Sequence, residues 1–209
     1  MKVSYLFGLS ALLALGSSAC AESKIVTSLT GDLVALEGKK VGRYDTAKLA
    51  NAKYLAIYYS AAWCGPCRKF TPKLVEWYNQ HKAANPHFEL IFVSSDQSEP
   101  EMEKYIAEDK MPWPALKFAK KDSNKTITGY SGRGIPSLVL IDAEGKVLSD
   151  SYVGGKYLGP GKVLQDIEKT LAGDPPSTTA STAPTGASAI KPAPVQGSNF
   201  DDFFKKKSP

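Results

Sequence analysis

Two cysteines stand two residues apart in the stretch SAAWCGPCRKFTP, at Cys64 and Cys67, directly after an apolar run. Thiols at that spacing support three chemistries: a structural disulfide, half of a metal site, or a redox-active dithiol. The structural bridge loses on energetics. Closing so short a loop removes little chain entropy from the unfolded state, and one pair is too few to staple a scaffold. A metal site needs two more ligands. The chain's only histidines, His81 and His87, complete a Cys-x2-Cys-x13-His-x5-His pattern within the range seen at zinc centres. Asn85-Pro86 breaks the chain between them, so they do not share one helical face. Gly65-Pro66 also starts a helix where a zinc finger has a β-knuckle. The expectation is no metal, with His81 at a solvated helix end and His87 in a loop.

The redox alternative needs a stabilised thiolate, and the flanking elements supply one. KYLAIYYSA is a continuous apolar and aromatic run that predicts a buried strand ending just before the pair. Residues 64 to about 82 follow as a helix, with Phe70, Leu74 and Trp77 or Tyr78 on one face. A cysteine at a helix N-terminus meets unpaired backbone N–H groups and the positive end of the helix dipole. Both favour the thiolate, which is the attacking form. Cys64 is then the exposed nucleophile. Cys67, one turn in and shielded, is set to resolve a mixed disulfide. Pro66 suits the first turn, where its missing N–H would go unpaired anyway.

The other elements must build a platform for that helix. IVTSLTGDLVALEGKKV predicts an N-terminal hairpin, and FELIFVSS a second buried strand. Residues 98–101, Ser-Glu-Pro-Glu, have capping-box spacing and open a helix to about Asp109. MPWPAL cannot be helical, because each proline forces its predecessor to extend. IPSLVLID and KVLSDSYV predict two strands around the turn at Ala143, Glu144 and Gly145. Residues 162–171 form a last helix, with Gly173 at C′. A βαβ unit followed by a hairpin and a helix gives an α/β domain with a central mixed sheet and helices on both faces.

These residues carry a family resemblance. WCGPC matches the active-site motif of thioredoxins, and Pro72 stands where their active-site helix has its kinking proline. GIPS, from Gly134 to Ser137, resembles the Ile-cisPro-Thr loop that faces the active site in the thioredoxin fold. YYSAAWCGPCRKFTPKLVEWY, FVSSD, MPWPALKF and RGIPSLVLIDAEGKV are similar to the nucleoredoxin and tryparedoxin branch. The leading hairpin resembles periplasmic thiol reductases of the TlpA type. The resemblance covers residues 25–172. It implies a thioredoxin fold, a redox-active disulfide between Cys64 and Cys67, and a cis bond before Pro136. Trp63, Gly65, Pro66, Ile135 and Pro136 are the implied substrate-binding residues, with Ile135 and Pro136 offering an extended edge to substrate backbone. It implies no cofactor beyond the cysteine pair. The Gly-Pro dipeptide is that of reducing thioredoxins, whose potential is ~−270 mV against ~−120 mV for a strong periplasmic oxidant.

Two departures stand out. The nucleoredoxin branch usually has Pro-Pro between its cysteines, where this chain has Gly65-Pro66. Thioredoxins bury an aspartate six residues before the first cysteine, where this chain has Tyr58. The proton acceptor for Cys67 is therefore open. Asp96 is a distant candidate, although its place suits a strand-end residue. Arg133 is read as a surface arginine, with screening of a thiolate as the alternative.

The chain ends add location. In MKVSYLFGLSALLALGSSACAES, Lys2 precedes an apolar run too short to span a bilayer comfortably, and small residues follow it. Residues 1–21 are read as a signal peptide, cleaved after Ala19-Cys20-Ala21. The alternative is a lipoprotein acylated on Cys20. Both take the protein out of the cytoplasm, secreted or periplasmic, and membrane attachment follows only if Cys20 is lipidated. Residues 22–173 form the domain. Residues 174–198, rich in Pro, Ala, Ser and Thr, read as a disordered linker, and residues 199–209 as a short aromatic and charged segment with Phe200, Phe203 and Phe204. The formal net charge is +5. Setting leader and tail aside leaves about +3, too little to make nucleic acid a partner. The expected partners are protein dithiols or disulfides, with a membrane thiol protein as electron donor. The alternatives are a binding module without turnover and a thiol peroxidase. The peroxidatic Pro-x-x-x-Thr-x-x-Cys context is absent before Cys64.

Overall fold

A computed structural model describes residues 23–173. The expected leader, linker and aromatic tail lie outside the described residues. At the centre stands β3 (Tyr54–Ser60), the strand expected to lead into the cysteines. It pairs in parallel with β4 (Phe88–Ser94) over its whole length, and antiparallel with β6 (Ser137–Asp142). Beyond β6 lies β7 (Val147–Asp150). On the other side, β4 pairs with the two-residue β5 (Ala115–Leu116) in the MPWPAL stretch. The hairpin of β1 (Leu33–Glu37) and β2 (Lys40–Arg43) then adds to β5, giving the order β2-β1-β5-β4-β3-β6-β7.

Both faces of this mixed sheet are buried, which is why β3 and β4 are buried almost throughout and mostly apolar rather than apolar at alternate positions. Ala56, Tyr58, Leu90 and Phe92 face one layer, and Leu55, Ile57, Tyr59, Ile91 and Val93 the other. The first layer holds all three long helices. α2 (Gly65–His81) buries Leu74, Trp77 and Tyr78, α3 (Glu99–Glu108) buries Met102, Tyr105 and Ile106, and α5 (Pro160–Gly173) buries Val163, Leu164, Ile167 and Leu171. Each such side chain contributes about 1.5–3 kcal/mol by leaving water. The second layer is thinner. It has α1 (Lys24–Ser28), α4 (Lys125–Thr128) and the buried Leu29, Leu33 and Leu49.

Three local expectations need correction. Residues 25–28 were expected in the hairpin but form α1. Ile25 and Val26 are buried there on the second layer, and burial outweighs the poor helix propensity of β-branched residues. The capping box is displaced: Ser98 makes no capping bond, while the Glu101 carboxylate accepts from the Gln97 N–H at 3.1 Å. KVLSDSYV is not one strand. Ser151 interrupts it, its Oγ accepting from the Leu138 N–H (2.8 Å) and donating to the Leu138 carbonyl (3.0 Å). The Ser151 N–H still donates to the Leu138 carbonyl (3.0 Å), but the side chain takes the Leu138 N–H in place of a carbonyl, and the chain then leaves the sheet. It then forms a small hairpin of β8 (Tyr152–Val153) and β9 (Lys156–Tyr157), turning at Gly154 and Gly155, both at positive φ.

Candidate active site

The loop between β3 and α2 is clamped from the end of β4. The Ser95 N–H donates to the Ser60 carbonyl (2.8 Å), and the Trp63 indole N–H donates to the Ser95 carbonyl (3.2 Å). Asp96 completes the clamp. One carboxylate oxygen accepts from the Ala62 N–H and the other from the Ser94 hydroxyl, each at 2.7 Å. Asp96 is buried, and these bonds offset the cost of taking its carboxyl group out of water. One oxygen holds the loop backbone and the other the end of β4, so its role in the structure is anchorage.

Cys64 caps α2. Its Sγ accepts a 3.2 Å hydrogen bond from the Cys67 N–H, one of the helix's unpaired amides. The two sulfurs are joined in a disulfide of 2.04 Å. Exposure separates them only slightly: Cys64 keeps 5% and Cys67 none. Cys64, expected to be exposed, is instead buried but for a narrow window to solvent, and is the outer of the two cysteines. Around that window Trp63 (62% exposed), Gly65 and Pro66 project into solvent. A Cβ on Gly65 would touch nothing within 4 Å, so packing does not demand glycine there, and the surface beside Cys64 stays low.

Across the disulfide lies the Gly134–Ser137 loop. Its Ile135–Pro136 peptide is cis, as the resemblance implied. The Ile135 carbonyl oxygen is 3.8 Å from Cys64 Sγ, and the Ile135 side chain packs on Ala61, Cys64 and Cys67. Arg133 is exposed at the start of this loop. Beside Trp63 an open groove of about 410 Å³ is edged by Arg68, Glu101, Lys104 and Glu108. Arg68 pairs with Asp109 (3.2 Å) and Glu108 (3.4 Å) while lying over the Tyr105 ring.

Beneath Cys67 sits a hydroxyl cluster that the sequence reading missed. Thr71, fully buried, donates to the Cys67 carbonyl at 3.0 Å. Its oxygen then accepts from the hydroxyls of Tyr58 (2.8 Å) and Tyr105, and Ser60 donates to Tyr105 at 2.9 Å. Every hydroxyl thereby donates once. Tyr58 fills the place of the thioredoxin aspartate without its chemistry. Burial pushes the Tyr58 and Tyr105 phenols well above their ordinary pKa, so both are neutral donors when a thiol ionises.

Among the described residues the histidines join no cluster of three or more His, Cys, Asp or Glu side chains. His81 stacks on Trp77 at 4.6 Å with Nδ1 2.8 Å from the Trp77 carbonyl oxygen. His87 lies in the loop before β4, as expected, but is buried there, at 3% exposed. Its carbonyl accepts from the Lys53 and Tyr54 N–H groups that start β3, which draws its ring edge-on against Tyr54.

Comparison with known proteins agrees with this geometry. Residues 51–147 match the family model described as Thioredoxin-like. The crystal structure of thioredoxin from Wuchereria bancrofti is 32% identical, with a TM-score of 0.51 over 68% of this chain and 97% of that one. The chain belongs to the thioredoxin-like family. Human nucleoredoxin is 39% identical over 97 residues, 46% of this chain and 22% of that protein. Tryparedoxin of Trypanosoma brucei brucei is 39% identical over 93 residues, 44% of this chain and 62% of that protein. The chain thus spans about a fifth of human nucleoredoxin's length. It is a thioredoxin-like redox protein with its cysteine pair at disulfide distance, related to the nucleoredoxins and tryparedoxin as the motifs implied.

Proposed function

We propose that this protein is an extracytoplasmic thiol–disulfide oxidoreductase that reduces protein disulfides. The observation that carries the reading is the Cys67 N–H donated to Cys64 Sγ at the start of α2. That bond becomes charge-assisted when Cys64 is a thiolate, and so favours the attacking form. In the reduced protein the Cys64 thiolate attacks one sulfur of a substrate disulfide and expels the other as a thiolate. The Cys67 thiol gives up its proton, which the departing thiolate or water accepts, and attacks Cys64 Sγ. The second substrate thiolate leaves, and the Cys64–Cys67 disulfide is restored. Two electrons pass from the cysteine pair to the substrate. The neutral phenols of Tyr58 and Tyr105 cannot take the proton, which leaves the departing thiolate or a water as its acceptor.

Trp63, Gly65 and Pro66 surround the outer sulfur, and Ile135 and Pro136 offer backbone to the substrate. The leader residues support action outside the cytoplasm, where a membrane thiol protein would return electrons to the pair. The test is reduction of insulin by dithiothreitol, followed as turbidity, together with the equilibrium potential of the pair against glutathione. A potential near ~−270 mV with catalysed insulin reduction fits the reading. A value near ~−120 mV would make the protein an oxidant instead.

A further inference from the structure

The β8–β9 hairpin, which the motifs did not foretell, rests on the loop opposite the disulfide. The Tyr157 hydroxyl donates to the Pro136 carbonyl at 2.7 Å. Tyr152, the cross-strand partner of Tyr157, stacks obliquely on it with ring centroids 5.0 Å apart. The Tyr152 ring occupies the space above Gly132, where a Cβ would overlap it, and its hydroxyl would lie 3.0 Å from a Cβ on Gly134. The hairpin is tied down at its base by the Leu158 N–H, which donates to the Ser151 carbonyl at 2.8 Å. Ser151 in turn is locked to Leu138 on β6.

We propose that Tyr157 and Tyr152 are positioning residues that set the Ile135–Pro136 loop for recognition of a polypeptide disulfide. The inference rests on the reductase reading above. Pro136 has no N–H, so Ile135 carries the backbone groups of this loop that can pair with a substrate strand beside Cys64. The Ile135 carbonyl oxygen is 3.8 Å from Cys64 Sγ, so a tilt of this loop moves the pairing edge relative to the reacting sulfur. Tyr157 works through its hydroxyl, which fixes the Pro136 carbonyl. Burial raises its pKa, so it remains a donor at neutral pH and above. Tyr152 works through its ring, which fits only over a glycine-bearing loop. A small disulfide needs the cysteines alone. A protein disulfide needs the loop as well.

The test compares Tyr157→Phe, Tyr152→Phe and Tyr152→Ala with the wild-type full chain on two substrates. These are insulin and the small aromatic disulfide 5,5′-dithiobis(2-nitrobenzoate). A lost hydrogen bond corresponds to a factor of about 3–10 in an equilibrium. Tyr157→Phe should raise KM for insulin by about that factor, with kcat and the small-disulfide rate within about twofold of wild type. Tyr152→Phe should behave as wild type, and Tyr152→Ala as Tyr157→Phe. General destabilisation would not separate hydroxyl from ring in this way, nor spare the small disulfide. Wild-type KM for insulin in Tyr157→Phe and Tyr152→Ala overturns the inference and leaves the reductase reading standing. Equal loss on both substrates overturns it too, because the residues would then serve the cysteines. A wild type inert on both substrates removes the reductase reading and this inference with it.

Discussion

Thr71→Val removes one hydroxyl from the floor of the site and little else, since valine keeps the branched shape. The structure fixes the cost. Thr71 is fully buried, donates to the Cys67 carbonyl, and accepts from Tyr58 at 2.8 Å and from Tyr105. Tyr105 retains Ser60 at 2.9 Å, so it loses about 1 kcal/mol at most. Tyr58 loses its closest partner in a fully buried place, which costs about 1–3 kcal/mol. The total is roughly 1–4 kcal/mol, or a fall in Tm of about 2–16 °C for a domain of this size. Tyr58→Phe should cost less, about 1 kcal/mol, because Thr71 still has Tyr105 and Cys67. In the double variant Tyr58 has no hydroxyl left to orphan. Its cost should fall short of the sum of the single costs by about 1 kcal/mol or more. Urea unfolding of the four oxidised proteins measures all three quantities. Additivity within about 0.5 kcal/mol would refute the network, as would a Tyr58→Phe penalty larger than that of Thr71→Val.

Two further outcomes follow from the site and the chain ends. Cys67→Ser should accumulate mixed disulfides with partner proteins and Cys64→Ser none, because Cys64 Sγ accepts the helix-end N–H; non-reducing gels read this, and equal trapping would overturn the assignment. Deleting residues 174–209 should shift Tm by less than about 2 °C and leave insulin reduction intact, since their composition cannot join a core; a larger fall would show that the Phe200, Phe203 and Phe204 segment docks on the domain.

What could be foreseen follows from how local each signal is. WCGPC, a buried strand before it and an amphipathic helix after it are contiguous in sequence, so Cys64, Cys67, β3 and α2 were legible with boundaries nearly correct. The GIPS loop was legible only through resemblance, because nothing in the composition of residues 134–137 places them opposite residue 64. The hydroxyl cluster was hidden for a different reason. An unbroken apolar run such as KYLAIYYSA shows that a strand is buried but not which layer each tyrosine enters. Tyr58, Thr71 and Tyr105 come from three elements that meet only in three dimensions. Asp96 was underrated on similar grounds: a strand-end aspartate looks solvated until its partner, the Ala62 N–H, is seen 34 residues away. The β8–β9 hairpin escaped because its strands have two residues each, below any useful periodicity.

Ser151 has a consequence beyond the site. β7 is the outermost strand on its side of the sheet, and Val147 and Leu148 on it are 44% and 42% exposed. An apolar border strand of that kind invites a strand from another molecule, the first step towards filaments. Ser151 shortens the invitation. By turning its hydroxyl inward to Leu138 it ends β7 after four residues and swings the following chain out of the plane. The opposite border is guarded by charge, with Lys40 and Arg43 exposed on β2. Both borders are thereby closed to further growth, one by brevity and one by repulsion. A domain built on seven strands can then be crowded against other extended chains without becoming a template for them.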